Sequence, residues 1–180
     1  MDEPQTAAGN MAPVGKTRTE ADFESFYRRD RRRVVALAYG LSGSRTAAEE
    51  LAQDAFMAAF RKWNEISEYD DPGAWVRRVV INCSVSRVRR RVAEVRALTR
   101  LASRPTRPDE LAPVDADFWR AVRALPARQA QVVALHYVDD RSIDDIAAIL
   151  GIAAGTVKAT LFQARKSLAA ALQCELEEEA

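Results

Sequence analysis

Residues 142–166, SIDDIAAILGIAAGTVKATLFQARK, constrain the fold of this chain more than any other stretch. Ser142, with Asp145 three residues later, predicts a helix N-terminus at which a hydroxyl and a carboxylate each satisfy a free backbone N–H. Ile143, Ile146, Ala147 and Leu150 then recur at helical spacing, and Gly151 offers the left-handed backbone that ends a helix. After Ile152-Ala153-Ala154 a second periodic run puts Val157, Leu161, Ala164, Leu168 and Leu172 on one face. Two helices joined by a tight turn containing Gly predict a helix-turn-helix.

The outer face of the second helix is the informative one. At about 100° per residue, Gly155, Ala159, Phe162, Gln163 and Lys166 fall opposite the apolar stripe, with Lys158 and Arg165 beside them and no acid among them. A solvated face usually mixes signs, and an aromatic side chain directed away from the core calls for a partner. Duplex DNA supplies one, because amide and basic groups reach base edges and phosphates while apolar groups touch thymine methyls. The spacing is equally that of an ordinary helical hairpin whose surface Phe and Lys have no task.

The net charge of +1 conceals a segregation. Residues 75–107 hold ten arginines against one acid, Glu94, whereas the chain ends on Glu175, Glu177, Glu178 and Glu179. Such a basic block suits a polyanion. Chemistry of the chain's own is not indicated: Cys83 and Cys174 stand far apart and His136 is the one histidine, so no zinc ligand set, nucleophile–base pair or cofactor site can be assembled. The two cysteines and His136 read as packing residues. Residues 1–20 read as a disordered leader without the apolar core of a signal peptide, and Met11 is a second candidate start. No apolar run approaches a membrane span.

Taken in order, the rest of the chain is also helical in pattern. Phe23, Phe26, Tyr27, Val34, Leu37, Ala38 and Leu41 form one stripe, which Gly43-Ser44 ends. Thr46 and Glu49 read as a capping box opening a helix whose Ala47, Leu51, Ala52, Ala55, Ala59 and Trp63 share a face. The early acids Glu49, Glu50 and Asp54 admit two readings, complementing the helix dipole or binding a partner. A polar loop follows, and Asp71-Pro72 begins a third helix buried through Trp75, Val76, Val79, Val80 and Cys83, with Arg77, Arg78, Arg87, Arg89, Arg90 and Arg91 exposed. The stretch 93–115, with Pro105, Pro108 and Pro113, reads as a linker. Phe118, Trp119, Val122 and Leu125 open a second unit, and Pro126 starts a helix packed by Val132, Val133, Leu135 and Tyr137. The expected fold is therefore all-α: two small helical domains joined by a flexible linker, the C-terminal one a helix-turn-helix.

AEELAQDAF at 48–56, AWVRRVVIN at 74–82 with the arginine run after it, and LPARQAQVVALHYV leading into GTVKATLFQAR resemble, in this order and spacing, the extracytoplasmic-function sigma factors of the sigma-70 superfamily. The resemblance implies a region 2 domain over 21–91, a linker over 92–115, a region 4 domain over 116–174 and an acidic tail at 175–180. It implies that Glu49, Glu50, Leu51, Gln53, Asp54 and Phe56 bind core RNA polymerase. The loop from Glu65 to Asp71, with Trp75, Arg77, Arg78, Asn82, Arg87, Arg89 and Arg90, would open and hold minus-10 promoter DNA. Gly155, Thr156, Lys158, Ala159, Phe162, Gln163, Arg165 and Lys166 would read minus-35 DNA. Ala153, Ala159, Thr160 and Gln163 depart from the family's usual Ser, Ser-Arg and Arg, which implies weaker minus-35 binding or an altered minus-35 preference. The resemblance further implies a cytoplasmic protein with no catalytic activity, cofactor or membrane contact, and an anti-sigma partner. The competing expectation is a free-standing dimeric helix-turn-helix regulator.

Overall fold

Helix follows helix wherever the apolar residues recur every three or four positions. The computed structural model describes residues 14–84 and 116–178. Before the linker run α1 (Val14–Ser42), α2 (Arg45–Arg61), α3 (Trp63–Ile66) and α4 (72–84). After it come α5 (Ala116–Ala124), α6 (Ala127–Tyr137), α7 (Ile143–Leu150) and α8 (Ala154–Glu178). No strand occurs among the described residues. The linker expected over 92–115 and Arg87, Arg89, Arg90 and Arg91 lie outside them.

The first helix begins at Val14, directly after Pro13. The last helix runs to Glu178. One expected cap moves. Gly43 turns left-handed (φ 68°) and its N–H bonds to the Tyr39 carbonyl at 2.8 Å, closing α1. Ser44 is then the first extended residue (φ −135°, ψ 128°), and its hydroxyl accepts from the Ala47 N–H at 3.4 Å. Thr46 therefore lies inside the first turn of α2 and is not its cap.

The N-terminal half is a hairpin of α1 and α2 closed by an aromatic cluster. Phe26 stacks on Trp63 with centroids 4.9 Å apart and meets Phe56 edge-on at 5.8 Å; Tyr27 meets Phe56 at 4.9 Å and Phe23 meets Trp63 at 5.2 Å. Such pairs each contribute about 0.5–1.5 kcal/mol beyond area burial. Val76 and Val80 bring α4 onto the same core, and Asp71 caps α4 by accepting from the Ala74 N–H at 3.0 Å.

In the C-terminal half, Val132, Val133 and Leu135 of α6, Ile146 and Ile149 of α7, and Val157, Leu161, Ala164 and Leu168 of α8 form one core. Both bonds of the capping box are present, Asp145 N–H to Ser142 Oγ at 3.1 Å and Ser142 N–H to the Asp145 carboxylate at 3.2 Å. Gly151 ends α7 at φ 65°, ψ 42°. Pro126 stands one residue before α6 as its N-cap. Ser142→Ala is expected to lower unfolding stability by about 1 kcal/mol, read from thermal denaturation. An unchanged midpoint would mean that this cap contributes nothing.

The two halves touch. Leu37 of α1 and Ile81 of α4 belong to the same buried cluster as α5–α8, and Trp119 comes so close to α1 that a Cβ on Gly40 would stand 3.3 Å from its ring.

Candidate nucleic-acid and docking interfaces

The outward face of α8 is built from below. Val157, Leu161, Ala164 and Leu168 anchor the helix, and that orientation leaves Gly155, Thr156, Lys158, Ala159, Phe162, Gln163, Arg165 and Lys166 exposed together. Phe162 is 66% exposed, more than any other large apolar side chain described. A Cβ on Gly155 would meet nothing within 4 Å, so the fold itself does not require glycine there. The Ala153 carbonyl accepts from Thr156 and Val157, and as an alanine it adds no side-chain cap. Thr160 returns its hydroxyl to the Thr156 carbonyl at 2.7 Å. Arg165 is tied back: its Nε donates to the Tyr137 hydroxyl at 2.8 Å, and its guanidinium lies 5.7 Å from that ring's centroid. His136, expected to pack, is half-buried with Nδ1 3.2 Å from the Arg141 carbonyl.

A second surface lies on α1 and α2. Gln53, Met57 and Phe60 recur at i, i+4 and i+7 along one flank of α2. With Phe23, Tyr27 and Arg61 they line a groove of about 390 Å³ floored by Phe56. Phe60 is 51% exposed there. Glu49, Glu50, Gln53 and Asp54 are exposed, Glu49 paired with Arg45 at 3.1 Å. Leu51 and Phe56 are not: both are buried, because the stripe that packs α2 on α1 includes them. They hold α2 on α1, and Phe56 also lines the groove from below.

The third group is on α3, α4 and the loop between. Tyr69 is exposed and donates to the Glu65 carboxylate at 2.7 Å; that hydrogen bond pushes its phenol pKa up. Trp75 is half-buried, and Arg78 and Asn82 are exposed. Arg77 departs from expectation. Expected at the surface, its side chain is 0% exposed: Nε donates to Asp139 Oδ2, Nη2 to Asp139 Oδ1 at 3.0 Å and Nη1 to Asp30 Oδ1 at 3.2 Å. A guanidinium so held does not meet nucleic acid in this arrangement.

Residues 26–94 match the family model of sigma-70 region 2, and residues 115–168 that of sigma-70 region 4. The ECF RNA polymerase sigma factor SigM of Mycobacterium tuberculosis is 31% identical over 157 residues, covering 82% of this chain and 75% of that protein. The chain belongs to the extracytoplasmic-function sigma factors. The corresponding sigma factor SigE of Mycolicibacterium smegmatis is 29% identical over 93% of this chain and 67% of its own length. Among solved structures, the sigma factor RpoE of Bartonella quintana, in complex with the anti-sigma factor NepR, superposes with a TM-score of 0.69 at 30% identity, over 84% of this chain and 97% of that one. CnrH, solved with the cytosolic domain of CnrY, shares the fold at a TM-score of 0.63 and 22% identity, over 86% and 90% of the chains.

This sigma factor is thus a subunit that binds RNA polymerase and directs promoter-specific initiation. Its two matched regions coincide with the two helical halves. What sequence reasoning passed over is the apolar part of the α2 surface, Met57 and Phe60 with Phe23 and Tyr27. The signal was available in the i, i+4, i+7 spacing of Gln53, Met57 and Phe60, just off the buried stripe.

Proposed function

We propose that this sigma factor divides its work among three surfaces: the α1–α2 groove docks on core RNA polymerase, the loop at 65–71 with α4 opens and holds minus-10 DNA, and the outer face of α8 reads minus-35 DNA. What carries the assignment is the α8 face, free of acids, with Phe162 and Gln163 at its centre and Lys158 and Lys166 beside them. Cations near a groove supply affinity through phosphates, and amide and apolar groups supply sequence preference. On α4, Arg78 and Asn82 offer a cation and an amide where a melted strand needs charge and polar contact. The factor adds no catalysis of its own, and among the described residues no group of metal ligands assembles. It works in the cytoplasm, beside polymerase and DNA. No single helix among the described residues is long and apolar enough to cross a membrane. Likeness to the Bartonella quintana sigma factor solved with NepR supports an anti-sigma protein as a further partner.

Reconstitution with core RNA polymerase on a genomic promoter library, reading transcript starts, tests the assignment. The factor should confer a shared set of start sites absent with core alone. Replacing Gln53 with Ala and Asp54 with Arg should lower core affinity about tenfold, ~1.4 kcal/mol, with the circular dichroism spectrum unchanged. Sequence-specific duplex binding by the isolated protein, with no effect of core polymerase, would favour a free-standing regulator instead.

A further inference from the structure

The last turn of α6 meets the outer face of α8 through one arginine. His136 and Tyr137 close α6, and Arg165 of α8 reaches both: its Nε donates to the Tyr137 hydroxyl at 2.8 Å, its Nη2 stands 3.5 Å from His136 Nε2, and its guanidinium carbon lies 5.7 Å from the centre of the Tyr137 ring. The two α6 rings meet edge-on with centroids 4.8 Å apart, and Phe118 of α5 meets Tyr137 at 6.4 Å. Two neighbouring side chains thus form a seat for a single cation taken from the DNA-facing helix.

The seat fixes the tautomer of the imidazole. Nδ1 lies 3.2 Å from the Arg141 carbonyl, which can only accept, so Nδ1 carries the hydrogen and the neutral ring turns the lone pair of Nε2 toward Arg165. A proton taken from solvent by Nε2 reverses that contact. The ring then presents an N–H and a positive charge to a guanidinium that has donors alone.

The surrounding charges do not offset this. Among the described residues no carboxylate bonds to the imidazole. In the turn before α7, Arg141 is itself a cation, held by Asp139 and Asp71; Asp139 is also held by Arg77, for whose guanidinium Gly73 leaves room. Asp140 and Asp144 are exposed, and Asp145 caps α7. On α5 Asp117 pairs with Arg120, and on α1 Asp30 pairs with Arg29 and Arg77. Imidazole changes its charge between about pH 5 and 8. His136 is half-buried in the last turn of its helix, an end that favours a cation.

We propose that His136 is the positioning residue for Arg165: with a neutral imidazole the seat withholds the guanidinium from DNA, and with a protonated one Arg165 leaves Tyr137 and takes a phosphate beside the minus-35 element. Arg165 shares its exposed face with Lys158 and Lys166, so, given the assignment of that face to minus-35 DNA on which this rests, a released guanidinium has phosphate oxygens within its reach.

Holoenzyme assembled from core RNA polymerase and the full chain, titrated against promoter DNA at several salt concentrations at about pH 8 and pH 6, tests the seat. The parent should bind more tightly at the lower pH, with a salt dependence steeper by about one counterion. His136→Gln, always neutral, should give the shallow dependence at both pH values, and His136→Arg, always charged, the steep one at both. Arg165→Ala should abolish the step in the parent and return His136→Arg to the shallow dependence. A merely structural His136 predicts altered affinity or stability with the pH step intact. A step of the parent's size in His136→Gln overturns the proposal, and so does a step that survives Arg165→Ala, since the imidazolium would then meet phosphate itself. Failure of the α8 assignment reads differently, as Lys158→Ala and Lys166→Ala that leave the salt dependence unchanged at both pH values.

Discussion

Phe26→Ala is expected to lower the unfolding free energy by about 3–5 kcal/mol, the range for deleting a buried aromatic ring. The side chain is 3% exposed and touches Phe56 and Trp63, so its removal leaves a cavity beneath α2 that the surrounding rings cannot fill without leaving their own neighbours. Phe60→Ala, one helix away, should behave oppositely. Half of its ring already faces solvent, and surface changes are usually within about 0.5 kcal/mol. Its effect should fall on core polymerase binding, where an aromatic at the centre of an apolar groove is the kind of anchor that dominates an interface. Urea denaturation followed by circular dichroism reads the first quantity and a core-binding titration the second. Equal stability losses for the two variants would show that Phe60 belongs to the core and that the groove is no docking surface.

The contrast between these two rings also shows what a sequence can and cannot disclose. Local features are legible because their causes are local. Ser142, Asp145 and Gly151 announce the ends of α7, and the stripe from Val157 to Leu168 orients α8, so its exposed face can be read almost residue by residue. The start of α2 differs from expectation by two residues because Thr46-x-x-Glu49 satisfies the same rule that Ser44 satisfies in space, and only the left-handed turn at Gly43 decides between them. The burial of Arg77 is not legible at all. Its partners Asp30 and Asp139 lie 47 and 62 positions away, and the glycine that makes room for it is chemically silent in a sequence. An arginine in a basic run has every local reason to be exposed, and the reason it is not is tertiary. Likewise the two domains are legible from the proline-rich stretch between them, but their mutual packing through Gly40 and Trp119 has no signature in periodicity.

Replacing Phe162 or Gln163 should change which promoters this sigma factor selects without changing its stability. Both side chains are exposed, and the core stripe of Val157, Leu161 and Leu168 beneath them is untouched by either change. An amide can pair with adenine in the major groove and an aromatic edge can meet a thymine methyl, so Phe162→Ala and Gln163→Arg should each shift minus-35 preference by about 1–3 kcal/mol at the base that the altered side chain faces. An arginine at 163 favours guanine, where its fork meets two acceptors. Lys158→Ala and Lys166→Ala form the contrasting class. Each should weaken binding across all sequences and reduce the salt dependence by about one counterion, because a phosphate contact carries no base information. Arg165 should matter less than either lysine, since Tyr137 holds its guanidinium by a hydrogen bond and by its ring. The measurement is selection from randomised minus-35 sequences with holoenzyme carrying each variant, followed by titration at two salt concentrations. A Gln163→Arg selection that returned the parental consensus would remove residue 163 from the base-reading positions, and the acid-free face of α8 would then be a phosphate-binding surface alone.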